Sequence, residues 1–326
     1  MRKDFSHSIF SVRENGFEQF ALEVFGFQYQ HNILYKSYVD ALHVNIHQVK
    51  SLKEIPFLPI SFFKTHTIKT TSFESEVIFE SSGTTQTVNS RHHVKDRSLY
   101  KESFTMGFEK FYGSIKNWCI IGLLPSYLER NNSSLIAMVD ELIKLSGHPQ
   151  SGFCLYDHEK LNGTLQQLEN EGQESILIGV TFALIDFAEK YALQLKNTVV
   201  METGGMKGRR KELTRQESHE FLKKRLGIDV VHSEYGMTEL LSQAYSKGGG
   251  RFECVPWMKV LVRNEDDPLD VQDTGSGIIN VIDLANIYSC SFIATDDVGN
   301  IGRTGFFEIS GRVDNSDLRG CSLLVV

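Results

Sequence analysis

From about residue 76 to residue 232, short apolar runs alternate with amphipathic ones. This alternation limits the fold more than any other feature of the chain. Val77–Phe79, Cys119–Leu124, Ser175–Val180, Thr198–Met201 and Asp229–His232 are short and rich in branched or aromatic residues, as strands are. Between them, Lys95–Phe111, Asn132–Leu145, Ala183–Leu193 and Thr214–Leu226 read as helices. The first carries Tyr100, Phe104, Phe108 and Phe111 on one face, and the second opens on polar capping residues. Strands alternating with helices imply an α/β architecture with a largely parallel sheet.

The pattern changes at both ends of this body. Residues 1 to about 75 read as a helical region, with helical spacing over Phe17–Phe27 and Leu34–Leu42 and an interruption by prolines at Pro56 and Pro59. After the turn Gly248-Gly249-Gly250 come Val255–Val262, Gly277–Asp283, Ser291–Ala294, Phe306–Ile309 and Cys321–Val326, short runs bounded by turn residues. The expected organisation is therefore a helical region (1–75), an α/β body (76–250) and a β-rich subdomain (251–326).

Composition removes several function classes. A net charge of -7 and a pI near 5.9 argue against nucleic acid as the main partner. The basic run Lys207-Gly208-Arg209-Arg210-Lys211 is either solvated surface or lies near a bound anion. No apolar run approaches the ~20 residues that span a bilayer, and the N-terminus has no apolar signal region, so a soluble, cytoplasmic chain is expected. The five cysteines are scattered without a C-x-x-C pair, which speaks against a disulfide framework or a zinc site. Cys119 and Cys290 read as small core residues.

Four segments carry chemistry. Ser81-Ser82-Gly83-Thr84-Thr85 comes after the strand-like Val77–Phe79 and precedes Arg91-His92-His93-Val94-Lys95. Glycine lets backbone N–H groups approach an anion, and each hydroxyl adds a donor, so the loop suits phosphate; alone, such a cluster is an ordinary turn. His92 and His93 either touch that phosphate or face solvent. Tyr235-Gly236-Met237-Thr238-Glu239 comes after the strand ending at His232, and Ser233–Glu239 reads as the loop that leaves it. Ligands of open α/β sheets gather at such carboxyl ends. Tyr235 offers an aromatic plane for a base, Thr238 a hydroxyl and Glu239 a hard oxygen ligand for Mg²⁺; the alternative is a surface turn into a helix capped by Thr238. Thr295-Asp296-Asp297 is either a ribose-binding carboxylate segment or an acidic turn. Gly311-Arg312-Val313-Asp314 offers an arginine for an oxygen-rich ligand or a solvated loop with an internal ion pair. Gly204 and Gly205 either let the backbone approach a nucleotide or acyl chain or form a tight turn. His232 either lines a pocket or is a core histidine.

In order, spacing and residue types, these segments resemble the adenylate-forming superfamily of acyl-activating enzymes. Ser81, Ser82, Gly83, Thr84 and Thr85 resemble its phosphate loop. Tyr235, Gly236, Met237, Thr238 and Glu239 match its Tyr-Gly-x-Thr-Glu motif at every fixed position. Asp297 resembles its ribose-binding aspartate, with Asp296 in place of the usual glycine. Gly311-Arg312 through Arg319-Gly320 resembles its hinge. Gln86-Thr87-Val88 stands where the family carries Gly-x-Pro-Lys, so the loop lysine is missing, and Lys207 and Arg209 are candidate substitutes. The small C-terminal lid domain is expected to be absent.

A narrower resemblance rests on Thr203-Gly204-Gly205-Met206-Lys207-Gly208 and Leu318-Arg319-Gly320-Cys321-Ser322-Leu323-Leu324. These are similar to the acyl-protein synthetases of bacterial bioluminescence and their relatives. The resemblance implies ATP and Mg²⁺ as cofactors, a fatty acid activated as acyl-adenylate, transfer to Cys321 as a thioester, and a protein acyl partner such as a reductase, transferase or carrier protein. It implies catalytic roles for Cys321, Thr238 and Glu239, with Glu239 also holding the metal. Two alternatives stand beside it: an acyl- or aryl-CoA or carrier-protein ligase, and a degenerate adenylate-former that only binds.

Overall fold

The computed structural model describes residues 5–81, 88–124, 132–204 and 213–313. Its strands are β1 (Leu58–Pro59), β2 (Val77–Glu80), β3 (Arg91–Val94), β4 (Cys119–Leu123), β5 (Gly152–Phe153), β6 (Ser175–Gly179), β7 (Thr198–Glu202), β8 (His232–Tyr235), β9 (Ala244–Ser246), β10 (Glu253–Cys254), β11 (Met258–Arg263), β12 (Val271–Gln272), β13 (Gly275–Asp283), β14 (Phe292–Ile301) and β15 (Phe307–Arg312). The chain divides into two compact units. One takes the described residues up to Phe104, Met237–Gln243 and those from Glu253 onward; the other takes the described residues of Thr105–Gly236 and Ala244–Phe252. The division cuts the Tyr-Gly-Met-Thr-Glu segment between Gly236 and Met237.

The second unit is built on strands in the order β9-β8-β7-β6-β4-β5. All are parallel to their neighbours except β9, which runs antiparallel to β8. Every residue of β4 and β6 is buried, which is why both read as unbroken apolar runs rather than alternating ones. A Cβ at Gly122 would fall 2.7 Å from the Phe153 ring, so glycine is what lets β5 lie against β4 there. Helix Arg215–Leu226 opens on a capping box between Thr214 and Glu217 and stops at Gly227, whose φ is 66°.

One expected strand is displaced. β8 starts at His232 instead of ending there, because Met201 and Glu202 of β7 pair with His232 and Ser233. Ser233–Tyr235, expected in a loop, is therefore strand, and Val230 is 37% exposed.

The first unit contains a six-stranded sheet in the order β1-β14-β13-β11-β12, with β15 paired to β14. β1 lies parallel to β14 through Leu58↔Ile293 and Pro59↔Ala294. Pro59 is tolerated because this strand ends the sheet order. β14 runs on to Ile301, so Thr295-Asp296-Asp297 is strand and the acidic turn is not formed. Likewise Gly311 and Arg312 are the last rungs of β15, opposite Val298 and Asp297, rather than loop.

Helices Glu14–His31 and Ile33–Ala41 pack on this sheet's connections, in line with the helical spacing of the N-terminal region. Gln28 is fully buried: its Nε2 donates to the Asn286 and Ile287 carbonyls at 3.0 Å, and its Oε1 accepts from the Ser291 N–H at 2.9 Å. Tyr35 stacks on Phe292 and donates to the Pro56 carbonyl at 2.6 Å. Cys119 and Cys290 are buried free thiols, and burial pushes Cys290 up to about 12. No helix among the described residues is long and apolar enough to cross a membrane.

Candidate functional site

The Ser81–Thr85 segment lies in sequence between β2 and β3. The strands pair antiparallel, Phe79 opposite His92 and Glu80 opposite Arg91. Ser81 closes the hairpin: its N–H donates to the Ser90 carbonyl at 3.1 Å, and its Oγ accepts from the Ser90 N–H at 2.9 Å. Ser82, Gly83, Thr84 and Thr85 lie outside the described residues. His92 and His93 are on β3, not in the loop. His92 is 1% exposed, with Nδ1 2.8 Å from the Thr238 carbonyl oxygen. Burial pushes its imidazole down to about 4 against the pull of that carbonyl and of Glu239. His93 is half-buried, with Nδ1 3.1 Å from the Ser75 hydroxyl.

The Tyr-Gly-Met-Thr-Glu segment begins in the second unit at the carboxyl end of β8. There Tyr235 is 8% exposed and packs against the Phe252 ring. Past Gly236 the chain makes a turn, with Leu240 N–H donating to the Met237 carbonyl at 3.1 Å, and the chain does not continue into a helix capped by Thr238. Buried side chains hold this turn in the first unit. His92 donates to the Thr238 carbonyl, and Asn286 Nδ2 donates to the Glu239 carbonyl at 2.7 Å. Asp283 accepts the Leu241 and Ser242 N–H groups at 2.8 and 3.0 Å together with the Ser242 hydroxyl. Burial raises the Asp283 carboxyl to about 6, its hydrogen bonds opposing that rise.

A second buried carboxylate organises the carboxyl end of β7. Glu202 Oε2 accepts from the Gly204 N–H at 2.6 Å and from the Thr181 hydroxyl at 2.9 Å. Its Oε1 lies 3.6 Å from His219 Nε2 and 3.8 Å from Arg215 Nε. Burial alone would raise this carboxyl; His219 and Arg215 reverse the effect and bring it to about 2. The Glu202–Gly204 bond closes a turn in which Gly204 has φ 75°, a conformation that favours glycine. The Thr203 hydroxyl beside it is buried and has no hydrogen-bond partner among the described residues. Gly205 and the basic run 207–211 lie outside the described residues. On the neighbouring strand, burial and the Glu202 charge push Glu234 up to about 8. His232 sits 3.1 Å from the Tyr112 hydroxyl, and burial brings its imidazole down to about 4.

Asp297 and Arg312, 15 residues apart in sequence, face each other across β14 and β15. Arg312 Nε donates to Asp297 Oδ1 at 3.1 Å, and its Nη2 to Asp296 Oδ2 at 3.2 Å. Asp297 is 1% exposed and its N–H is held by the Thr295 hydroxyl at 3.1 Å. Asp314 and Cys321 lie outside the described residues.

Within the first unit, then, Ser81, Thr238 and Glu239 are linked by way of β3, and Asp297 with Arg312 forms a separate pair. Sequence reasoning missed Glu202, Arg215, His219, Asp283 and Asn286. One signal was available: Glu202 is a charge closing the apolar run Thr198-Val199-Val200-Met201 just before Thr203-Gly204. Among the described residues no group of three or more His, Cys, Asp or Glu is placed to hold a metal ion. Glu239 offers one hard carboxylate, which suits a Mg²⁺ that takes its other ligands from water and phosphate.

A family model described as acyl-protein synthetase, LuxE, matches residues 8–326. No curated protein sequence matches the chain. Among solved structures, the chain is similar to the luciferase-like enzyme of the nonluminescent mealworm Zophobas morio, with a TM-score of 0.52 and 16% identity over 76% of this chain and 60% of that one. It is also similar to the O-succinylbenzoate coenzyme A synthetase of Bacillus subtilis in complex with ATP and magnesium ion, with a TM-score of 0.50 and 14% identity over 74% of this chain and 52% of that one. The chain thus spans roughly half to three-fifths of the length of the structures it matches. The α/β fold is that of the N-terminal body of adenylate-forming enzymes.

Proposed function

The chain belongs to the LuxE acyl-protein synthetase family, and we propose that it is an ATP-dependent ligase that activates a carboxylic acid as an acyl-adenylate and passes the acyl group to Cys321 as a thioester. The observation that carries this reading is the Tyr235–Glu239 segment. It leaves the carboxyl end of a parallel strand, where open α/β sheets bind ligands, and buried side chains hold its Thr238 and Glu239 carbonyls.

The chemistry assigns each residue a task. A carboxylate resists thiol attack because its leaving group would be oxide. In the first step a carboxylate oxygen attacks the α-phosphorus of ATP; the bond to the β-phosphate oxygen breaks and pyrophosphate leaves. Ser81 to Thr85 cradle the phosphates, the Thr238 hydroxyl donates to them, and Glu239 holds the cation. Bound Mg²⁺ supplies neutralisation of the charge that develops on the phosphate oxygens. Tyr235, Gly236 and Met237, with Gly204 and Gly205, flank the base, while Asp297 and Arg312 meet the ribose hydroxyls. In the second step the Cys321 thiolate attacks the acyl carbon, the carbon–oxygen bond to AMP breaks, and AMP leaves with that oxygen. Arg319 favours the thiolate. A fatty acid is the expected substrate, a reductase, transferase or carrier protein the onward acceptor, and the cytoplasm the location.

The test is intact-protein mass spectrometry after incubation with ATP, Mg²⁺ and a mixture of fatty and aromatic acids, beside Cys321→Ala. A hydroxylamine-labile adduct on the wild type and none on the variant is the expected result, and the mass gives the acid. AMP without an adduct would move the acceptor away from Cys321. Neither product, with any acid, would reject the ligase reading.

A further inference from the structure

His92 joins two segments that are distant in sequence. It stands on β3, paired to Phe79 two residues before Ser81. The Ser81–Ser90 pair of hydrogen bonds and the Phe79–His92 rung make that hairpin base rigid. From this base the imidazole reaches the Thr238 carbonyl at 2.8 Å. A carbonyl only accepts, so Nδ1 carries the proton in this bond. The ring is 1% exposed and meets Phe63 edge-on, which fixes its orientation.

The consequence falls on Glu239. A peptide is a rigid plane, so a residue between two held peptides has its φ and ψ set. The peptide before Glu239 is held by His92 at the Thr238 carbonyl, and the peptide after it by Asn286 at the Glu239 carbonyl. The direction in which the Glu239 side chain leaves the backbone is thereby referred to the base of the β2–β3 hairpin. His92 Nε2 makes no bond of strict hydrogen-bond geometry among the described residues, although the Asn286 side chain also draws on the imidazole, so the bond to Thr238 is the defined anchor of the ring.

We infer that His92 is a positioning residue: its Nδ1–H sets the peptide of Glu239 relative to the base of the β2–β3 hairpin, so that a cation on Glu239 meets bound phosphates. This rests on the proposed role of Glu239, and the experiment separates the two. Asparagine places its amide nitrogen where Nδ1 is, whereas glutamine places its own where Nε2 is. His92→Asn therefore keeps the donor and His92→Gln loses it, at similar polarity and volume.

Both variants and the wild type are assayed for AMP formation with the acid panel. They are also titrated with ATP in Mg²⁺ and in EDTA, with thermal unfolding recorded. The ratio of the two ATP affinities reads the hold of Glu239 on the cation independently of turnover. A misplacement of about 1 Å costs on the order of 100-fold in rate. The expected result is that His92→Asn stays near wild type in both readouts. His92→Gln loses on the order of 100-fold in kcat with KM for the acid unchanged, and its affinity ratio falls towards one. Equal losses in both variants, tracking their unfolding temperatures, would overturn the inference, as would a wild-type ratio of one. A silent wild type whose ratio exceeds one and collapses only in His92→Gln would uphold the positioning role and reject the ligase reading.

Discussion

Glu202 in the second unit and Asp283 in the first are both buried carboxylates that gather backbone and hydroxyl hydrogens to fix a turn. They titrate in opposite directions: burial lifts Asp283 to about 6, while Glu202 falls to about 2 despite the same burial. The difference lies in the side chains that face the two carboxylates. Arg215 and His219 stand within 3.8 Å of Glu202, whereas Asp283 takes its hydrogens from peptides and a serine. Neutral donors lessen the cost of burying a charge, and cations reverse it.

The sharpest way to break this contrast is Glu202→Gln. It leaves Arg215 without its counter-charge and costs about 3–5 kcal/mol in urea unfolding at pH 7. Because the folded carboxyl lies below its ordinary value, its stabilisation is present above about pH 4.5 and fades as pH falls towards 2. The variant's deficit should shrink accordingly between pH 5 and pH 3. Asp283→Asn comes next, at about 1–3 kcal/mol, with the opposite slope. A folded carboxyl raised from 3.8 to about 6 gives stability that is full below 3.8 and lost as pH rises through 6. The deficit of Asp283→Asn should therefore be larger at pH 4 than at pH 7. Equal slopes in the two variants would mean that Arg215 and His219 are not what separates the sites.

Arg215→Met removes the cation, and with it the guanidinium that lies over the Phe252 ring at 5.3 Å from its centroid. The acid limb of the stability profile should move up in pH, towards the behaviour of Asp283. The smallest effects come from the hydroxyls: Thr181→Val and Ser242→Ala each delete a hydrogen bond to a carboxylate, worth about 0.5–1.5 kcal/mol. Ser242 Oγ also lies 3.1 Å from Ser103 Oγ, so a loss at Ser242 that exceeds the loss at Thr181 by more than Ser103→Ala costs alone would show that Asp283 has less to fall back on.

These carboxylates also mark where the sequence stops being legible. β4, β6 and β7 were readable because a strand buried on both faces is an unbroken apolar run. The extension of β14 through Asp296 and Asp297 was not, because two adjacent acids look like a turn until Arg312 arrives from β15 to neutralise them. The start of β8 was misplaced because register is set by β7 and not by the apolarity of Val230-Val231. His92 looked like a loop histidine because its partner, the Thr238 carbonyl, is 146 residues away. The Tyr235–Glu239 segment was legible only as a resemblance: spacing announced the motif, but not the His92, Asn286 and Asp283 side chains that hold it.

The buried amide of Gln28 carries a cost in time. Its partners at Asn286 and Ser291 lie 258 to 263 residues downstream. At about 5–20 residues per second of synthesis, roughly ten seconds to a minute pass between the emergence of Gln28 and that of its acceptors. The unit to which Gln28 belongs is made of three separated stretches and closes late, whereas most of the other is one stretch, Thr105–Gly236. On the ribosome the order of assembly runs against the order of the sequence: the first helices made are among the last to be locked, and until then their apolar faces are the surface that a nascent-chain chaperone would hold.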